Sequence, residues 1–502
     1  MTTWVEQWKA DKLRSILVIF WLATVFTSFM RDALFSVTVP LVGSLYPFRV
    51  LLPITAVLYL AWMIREKEPL FKGVPALEKW CYLLSVILLV YGAASLFWAI
   101  DVSWTFRRLF NLCFDLCFFL LMLRLCRNKQ VFRATLYVCA VALLLLCAAG
   151  IYEVFCGGIV NDRYDDYLRF EFFTGVYQPA VVTYHNTNDY VSALCMCGAL
   201  LLAAVGIRWE RLTRACHWAV AGAFAVLYFL ASASTARLGI AATLLLLAGF
   251  ALFLLIRDRR RLWIVAVALA AVLFVEFACS YIYVVPPVKR YLAELAEHRQ
   301  EQAVDPDSSS AKEPPKLEIG KPNRPSLSEE FFEEDAETGE KVLRSENSSG
   351  GERTLLILHA FRCFKDSHGL GVGLGNTEQL AREYQVVMNG KVYSIHCFIA
   401  RLIGDYGIFA LIPLCVIGLL LLRKVWELLG AGLRRRDPDI AAMGVLYLFV
   451  LLLYPIASTA SSDAQDIIAM WIYLAGVVSV SHDLVPISDS EEEPACAREQ
   501  ST

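Results

Sequence analysis

Long apolar runs separated by short polar stretches dominate the chain. A bilayer core asks for roughly 20 mainly apolar residues per helix. Such runs fall near 14–30, 48–64, 80–99, 105–124, 131–154, 186–206, 215–233, 238–256, 262–284, 396–422, 440–460 and 464–481. The pattern predicts twelve transmembrane helices. No small-residue cleavage site follows the first run closely, so it is expected to stay as a helix and not to be removed as a signal peptide.

Positive charge sets the orientation. Basic residues gather before the first run (Lys9, Lys12, Arg14), between the second and third (Arg65, Lys67, Lys72, Lys79) and between the fourth and fifth (Arg124, Arg127, Lys129, Arg133). They gather again at Arg208, Arg211 and Arg214, at Arg257 and Arg259 to Arg261, and at Arg423, Lys424 and Arg434 to Arg436. Every even-numbered connection is basic and the odd-numbered ones are sparse. Both termini are therefore expected in the cytoplasm. The predicted division is 1–284 with helices 1–9, an extracytoplasmic loop over 285–395, helices 10–12 over 396–482, and an acidic cytoplasmic tail over 483–502.

Composition agrees with this layout. Of 502 residues 58% are hydrophobic and 19% charged, with a mean hydropathy of +0.53. That excludes a disordered chain and an ordinary soluble enzyme. The net charge of −2 offers no basic field for nucleic acid. Cys113, Cys117, Cys139, Cys147, Cys195, Cys197 and Cys415 sit inside apolar runs, where a thiol acts as a small hydrophobe. No pair of CxxC motifs appears, so no zinc site is expected.

The long loop is uneven. Glu301 to Glu340 holds twelve Asp or Glu against four Lys or Arg, with five prolines. A segment of that composition buries too little apolar surface to offset its ordering entropy, so a disordered insertion is expected near 300–350. Its flanks, Arg290 to Leu295 and Thr354 to Phe364, read as amphipathic helices.

Few polar residues lie near the outer membrane face. Arg237 sits in a short outward turn, Ala231-Ser232-Ala233-Ser234-Thr235-Ala236-Arg237-Leu238-Gly239. It reads either as a snorkelling helix-end cation or as an anion partner, with small neighbours leaving room for a ligand. Arg353 opens a helical run after Gly350-Gly351, as a solvated helix start or as a second cation. Glycine then recurs at Gly369, Gly371, Gly373 and Gly375, ahead of Asn376. Alternate glycines can line an anion-binding concavity with their N–H groups, or form a tight loop packed on the membrane helices. His396 precedes the tenth run, followed by Arg401, Gly404, Asp405 and Gly407. It reads as an interfacial side chain or, with an ordinary pKa near 6.5, as a general base. His185 and His368 are its rivals. Asn186 and Asn188 sit at the mouth of the sixth run, as helix caps or acceptor contacts. Asp115 lies within the fourth run, able to orient Arg107 or Arg108 or to form a structural ion pair.

The order of these elements is recognisable: an Asn-x-Asn entrance to a span, a Ser-Thr-x-Arg-x-Gly turn, an Arg-led helix, a Gly-x-Gly-x-Gly-Asn loop, and a His with Gly eleven residues on. It resembles the O-antigen ligase and Wzy-type polymerase superfamily, over roughly 180–420. The resemblance implies an all-α, GT-C-like membrane glycosyltransferase in the bacterial cytoplasmic membrane, with its active site outside. It implies independence of metal and of any cofactor. The substrates it implies are undecaprenyl-pyrophosphate-linked glycan and an acceptor glycan or glycolipid. On that likeness Arg237 and Arg353 bind pyrophosphate and His396 is the base, with Gly371, Gly373, Gly375 and Asn376 as loop contacts. Two positions depart from the family pattern. Cys397 stands where Asn, Ser or Gln is usual, and Ala410 where a small-turn Gly is usual. The first bears on how His396 is positioned more than on its role.

Ligase and polymerase differ in acceptor, which the sequence does not separate. A polysaccharide flippase or exporter is the alternative of another class. Transporters, however, usually show internal repeats and polar groups near the midplane. Here no repeat is found and the polar groups gather at one face. A receptor using the acidic loop would explain that loop but not the Arg and His pattern.

Overall fold

The computed structural model describes residues 11–30, 36–39, 43–67, 73–156, 170–172, 175–177, 180–184, 187–234, 236–277, 333–334, 341–342, 349–383, 395, 397–460 and 468–483. The helices are α1 (Lys12–Ser28), α2 (Pro47–Glu66), α3 (Ala76–Ala94), α4 (Val102–Leu125), α5 (Lys129–Cys156), α6 (Thr187–Ile207), α7 (Arg214–Ala233), α8 (Arg237–Arg257) and α9 (described over 263–277). There follow α10 (Ser349–Asp366), α11 (Asn376–Glu383), α12 (Phe398–Tyr406), α13 (Ile408–Arg435), α14 (Pro438–Ala460) and α15 (Ile468–Asp483). Short 3-10 turns lie at Ser95–Trp98, Trp209–Arg211 and Arg259–Arg261, and three short antiparallel pairs join Val37–Val39 with Gly43–Leu45, Phe170–Phe172 with Gly175–Tyr177, and Glu333–Glu334 with Lys341–Val342.

Lipid offers no hydrogen-bond partner to the backbone, so apolar runs of this length satisfy themselves as helices. Their ends are set by polar residues. The Asp11 and Asp101 side chains accept from Arg14 and Trp104 N–H, and Lys67 and Arg436 close α2 and α13 in left-handed turns. Eight helices among the described residues are long and apolar enough to cross a membrane, so the chain is a multi-pass membrane protein. The remaining expected spans are also helical where described. They are α1 of 17 residues, α4 with Arg107, Arg108 and Asp115 along its length, α9, and α15 of 16 residues. Helix α6 is the most buried of these eight, at 72% against 22% for α2, and α15 is buried along nearly its whole length.

Polar contacts gather at the two ends of the bundle. At one end Arg65 pairs with Asp11 (2.6 Å), and Arg127 and His482 (3.2 Å) both reach Glu78. Arg257 meets Glu210 (3.5 Å) and Asp439 (3.3 Å) where α6, α8 and α14 begin or end. At the opposite end the segment 180–184 folds over the helix tops. The Thr183 hydroxyl donates to Phe29 O (2.9 Å) and Ser234 Oγ to Ala180 O (3.3 Å), while buried Glu153 accepts from the N–H groups of Val181 (2.8 Å) and Val182 (2.6 Å).

One predicted element is different. The apolar run expected as a single span over 396–422 is two helices, α12 and α13, parted at Gly407 with φ +60°. Both charged residues of the run's first part, Arg401 and Asp405, are buried in α12. A membrane-buried arginine and aspartate need partners, and α12 finds them by joining the cap described below. The expected helix over Thr354 to Phe364 is present within α10. The expected helix at Arg290, most of the acidic insertion and the acidic tail lie outside the described residues.

Small residues let helices approach closely in a membrane. A Cβ at Gly249 of α8 would lie 2.4 Å from Phe449 Cβ of α14, whereas one at Gly222 of α7 would meet nothing within 4 Å. Gly249→Leu is expected to cost about 1–3 kcal/mol by overpacking, read as a lower melting temperature in detergent. Gly222→Leu should melt like the wild type, and equal melting of both variants would refute this packing.

Candidate functional site

Helices α10, α11 and α12 build a small cap with its own apolar core: Leu356 and Ala360 from α10, Ala381 from α11, then Ile395, Cys397 and Ala400. His359 lies in that core at 5% exposure, its ring Nε2 3.0 Å from Thr377 O. A carbonyl only accepts, so the neutral ring donates from Nε2. Burial lowers the pKa of His359, against the opposing pull of that backbone contact.

The glycine run connects α10 to α11. His368, Gly369, Gly371, Gly373 and Gly375 all have positive φ, from +51° to +105°. The alternation therefore meets a backbone requirement, since left-handed positions suit glycine. Every N–H from 371 to 377 has an acceptor within the protein. Gly371 donates to Ser367 Oγ (3.0 Å), Val372 to Gly404 O (2.9 Å), Gly373 to Asp405 O (2.9 Å) and Leu374 to Ser95 Oγ (3.2 Å). Gly375 donates to Asp405 Oδ2 (3.0 Å), Asn376 to Gly373 O (3.1 Å) and Thr377 to Asp405 Oδ1 (3.2 Å), to which the Thr377 hydroxyl adds a further bond (2.6 Å). The loop does form a nest for an anion. The anion is the protein's own Asp405 carboxylate.

Asp405 is one end of a buried charge relay. Arg401 Nε lies 3.7 Å from its Oδ2, and Arg401 Nη1 lies 3.5 Å from Glu378 Oε1. Glu378 in turn accepts from Arg108 Nη2 (3.1 Å), so an arginine of the membrane helix α4 is tied to the cap. All four side chains are at most 8% exposed. The Arg108 guanidinium also rests over the Trp104 ring, 4.6 Å from its centroid. Burial, helped by the Glu378 charge, pushes the Asp405 carboxyl above its ordinary range, against the pull of Arg401, the Thr377 hydroxyl and the Gly375 N–H. Around this relay the loop's carbonyls accept from the bundle. Tyr91 donates to Leu370 O (2.8 Å), Trp98 Nε1 to Val372 O (3.0 Å) and Thr105 to Leu374 O (3.1 Å). The Asn376 side chain joins in, accepting from Ile100 N–H (3.2 Å) and donating to Val372 O (2.8 Å). Gly371, Gly373, Gly375 and Asn376 are thus brought together at a docking joint, in the tightly packed form of the two readings.

Other candidates are spread over the end of the bundle that carries the cap. Arg237 is the first residue of α8, exposed, with no hydrogen bond or ion pair among the described residues. Two of its small neighbours are taken up by packing, and the third, Ala233, is half-buried. Ser234 is fully buried and donates to Ala180 O, and a Cβ at Gly239 would lie 2.2 Å from Val191 Cγ1, so Gly239 serves the packing of α8 on α6. Asn188 is half-buried in the first turn of α6. Arg353 lies in the first turns of α10, and its side chain is outside the described residues, as are His185, Asn186 and His396. The neighbours of His396 are described: Ile395 and Cys397 are both buried in the cap core, and Cys397 is the N-cap of α12. His368 is exposed in the turn that ends α10. Arg108 turns to Glu378 of the cap. Glu378 and His359 were not singled out from the sequence. Two charges four residues apart inside an apolar run, Arg401 and Asp405, were the available signal.

Residues 221–415 match the family model described as O-antigen ligase, which agrees with the resemblance carried by the motifs. The match begins in α7 and ends in α13, taking in Arg237, Arg353, the glycine loop and His396 but not Asn186 or Asn188. A curated relative, the teichuronic acid biosynthesis protein TuaE of Bacillus subtilis (strain 168), is 23% identical over 127 residues. That stretch is 25% of this chain and 25% of the relative, so the chain spans about a quarter of the length of the protein it matches.

The joint generates two predictions. Removing one member of a buried ion network leaves the others uncompensated, at about 3–5 kcal/mol. Asp405→Asn should therefore lower folded yield and melting temperature sharply, whereas Asp366→Asn, in an exposed pair with Arg362 (3.6 Å), should change little. Equal behaviour of the two would contradict the joint. His359 has a folded pKa below the unfolded value of about 6.5, so the unfolded chain binds the proton more readily. Its contribution to stability is complete above that value and is lost as pH falls through the folded pKa. Melting at pH 5.5 should be lower than at pH 7.5, with a smaller difference in His359→Gln. An undiminished difference would assign the pH effect elsewhere.

Proposed function

We propose that the protein is a membrane glycosyltransferase of the O-antigen ligase or polymerase type. In this reading it transfers glycan from an undecaprenyl-pyrophosphate carrier to an acceptor sugar hydroxyl, on the outer side of the bacterial cytoplasmic membrane. The family match over 221–415 carries the proposal, because it takes in the outward turn, the cap and the His-led helix together. The role named for the relative, teichuronic acid biosynthesis, fits cell-surface polysaccharide assembly. The proposed topology keeps twelve spans, cytoplasmic termini and an extracytoplasmic cap.

Each role follows from residue chemistry. The acceptor oxygen attacks the anomeric carbon as its proton passes to His396, the bond from that carbon to the pyrophosphate oxygen breaks, and the centre inverts. Negative charge then grows on the departing pyrophosphate. Arg237 and Arg353 stabilise it by charge-assisted hydrogen bonds, as a metal ion does elsewhere. The exposed, unpaired state of Arg237 among the described residues suits it to a ligand, since its charge is not already neutralised. The cap joint acts by holding the start of α12, where His396 stands between two core residues.

The test is a deletion strain complemented with wild type, His396→Ala or Arg353→Ala, with glycan length and attachment read on one gel. Loss of a positioned base is expected to slow transfer about 10²–10⁴-fold, and loss of one charge-stabilising donor about 10²–10³-fold. Single unpolymerised repeats would identify a polymerase, and long unattached polymer on its carrier a ligase. Full transfer by His396→Ala would overturn the assignment of the base, and full transfer by Arg353→Ala the pyrophosphate clamp.

A further inference from the structure

The end of the bundle away from the cap carries a cavity of about 490 Å³, lined by Leu212, Arg214, His217, Trp218, Arg261 and Trp263. It lies where α7 begins, beside the turn at Arg259–Arg261 and the start of α9. Its walls differ in kind. On one side the indoles of Trp218 and Trp263 pack at 4.5 Å between centroids and remain 53% and 38% exposed. On the other, Arg261 is held rigidly, with Nη1 2.9 Å from the Nε2 of buried His217 and Nε 2.9 Å from Asp258 Oδ2. An arginine is a permanent donor, so His217 accepts through Nε2 and is neutral there. Arg214 is exposed and makes no hydrogen bond or ion pair among the described residues. The two segments bordering the cavity, 208–214 and 257–261, carry seven arginines against Glu210 and Asp258.

We infer that this cavity binds the headgroup of an anionic phospholipid. Amphipathic indoles lie at the boundary between acyl chains and headgroups, so this wall places the cavity at the bilayer interface. Basic pockets between helices at that depth receive phosphate diesters. Arg214 and Arg261 take the phosphate, while Trp218 and Trp263 cover the glycerol and upper acyl region. The exposed indole wall favours a lipid over free phosphate, which would leave that apolar surface uncovered. The inference is independent of the proposed glycosyl transfer.

The experiment uses the full chain in neutral detergent, titrated with phosphatidylglycerol or phosphatidylcholine and read by native mass spectrometry. Phosphatidylglycerol should bind more tightly than phosphatidylcholine. Arg214→Gln and Arg261→Gln should each weaken it about fivefold, the equivalent of one lost basic contact at a membrane surface. Arg261 also braces His217 and Asp258, so its variant can unfold. Arg214 braces nothing, and its variant keeps the test decisive. Equal binding of the two lipids, or undiminished binding by Arg214→Gln, would overturn the inference. Displacement of the lipid by an equal concentration of inorganic phosphate would overturn it too, assigning the cavity to free phosphate.

Discussion

A carboxylate taken out of water must be met by donors or give up its charge, and Asp405 is fully buried. It is met by the N–H groups of Gly375 and Thr377, the Thr377 hydroxyl and the Arg401 guanidinium. Those partners come from three consecutive pieces of the cap, so none of the three can move without uncovering the charge. Glu378 extends the relay to Arg108, and the cap becomes fixed to a helix of the bundle. The left-handed glycines and the break at Gly407 follow from the same need. A Cβ at Gly407 would lie 2.2 Å from Gly369 O, and one at Gly371 2.6 Å from Asp405 O. The backbones on the two sides have to touch for the carboxylate to reach its donors.

This geometry changes the meaning of the glycine run. A nest of N–H groups beside an arginine invites a phosphate, but here it is filled from within. The cations left for an external anion are elsewhere, with Arg237 the exposed example at the cap end of the bundle. A division of labour results. Buried charges hold the cap in place, and exposed ones such as Arg237 are left unneutralised among the described residues. The cap core then sets where the chain runs on either side of His396, through Ile395 and Cys397.

Much of the fold was legible because bilayer burial writes itself in long apolar runs. Sequence reading went astray where one apolar run served two environments. Residues 396–422 have the hydropathy of a span, yet Arg401 and Asp405 are more stable as partners within a cap than alone in lipid. Gly239 near Arg237 looked like space for a ligand, because sequence does not show that Val191 already fills it. Glu378 and His359 were invisible for a related reason. Their importance comes from partners distant along the chain: Arg108 is 270 residues from Glu378.

The central claim is that the 371–377 amides are engaged by the protein itself and not by substrate. Hydrogen–deuterium exchange of the purified chain, with and without lipid-linked glycan, measures this directly. Slow exchange across 371–377 in both conditions is the predicted result. Fast exchange without substrate that slows when substrate is added would contradict the claim and return the loop to the role of a ligand-binding nest.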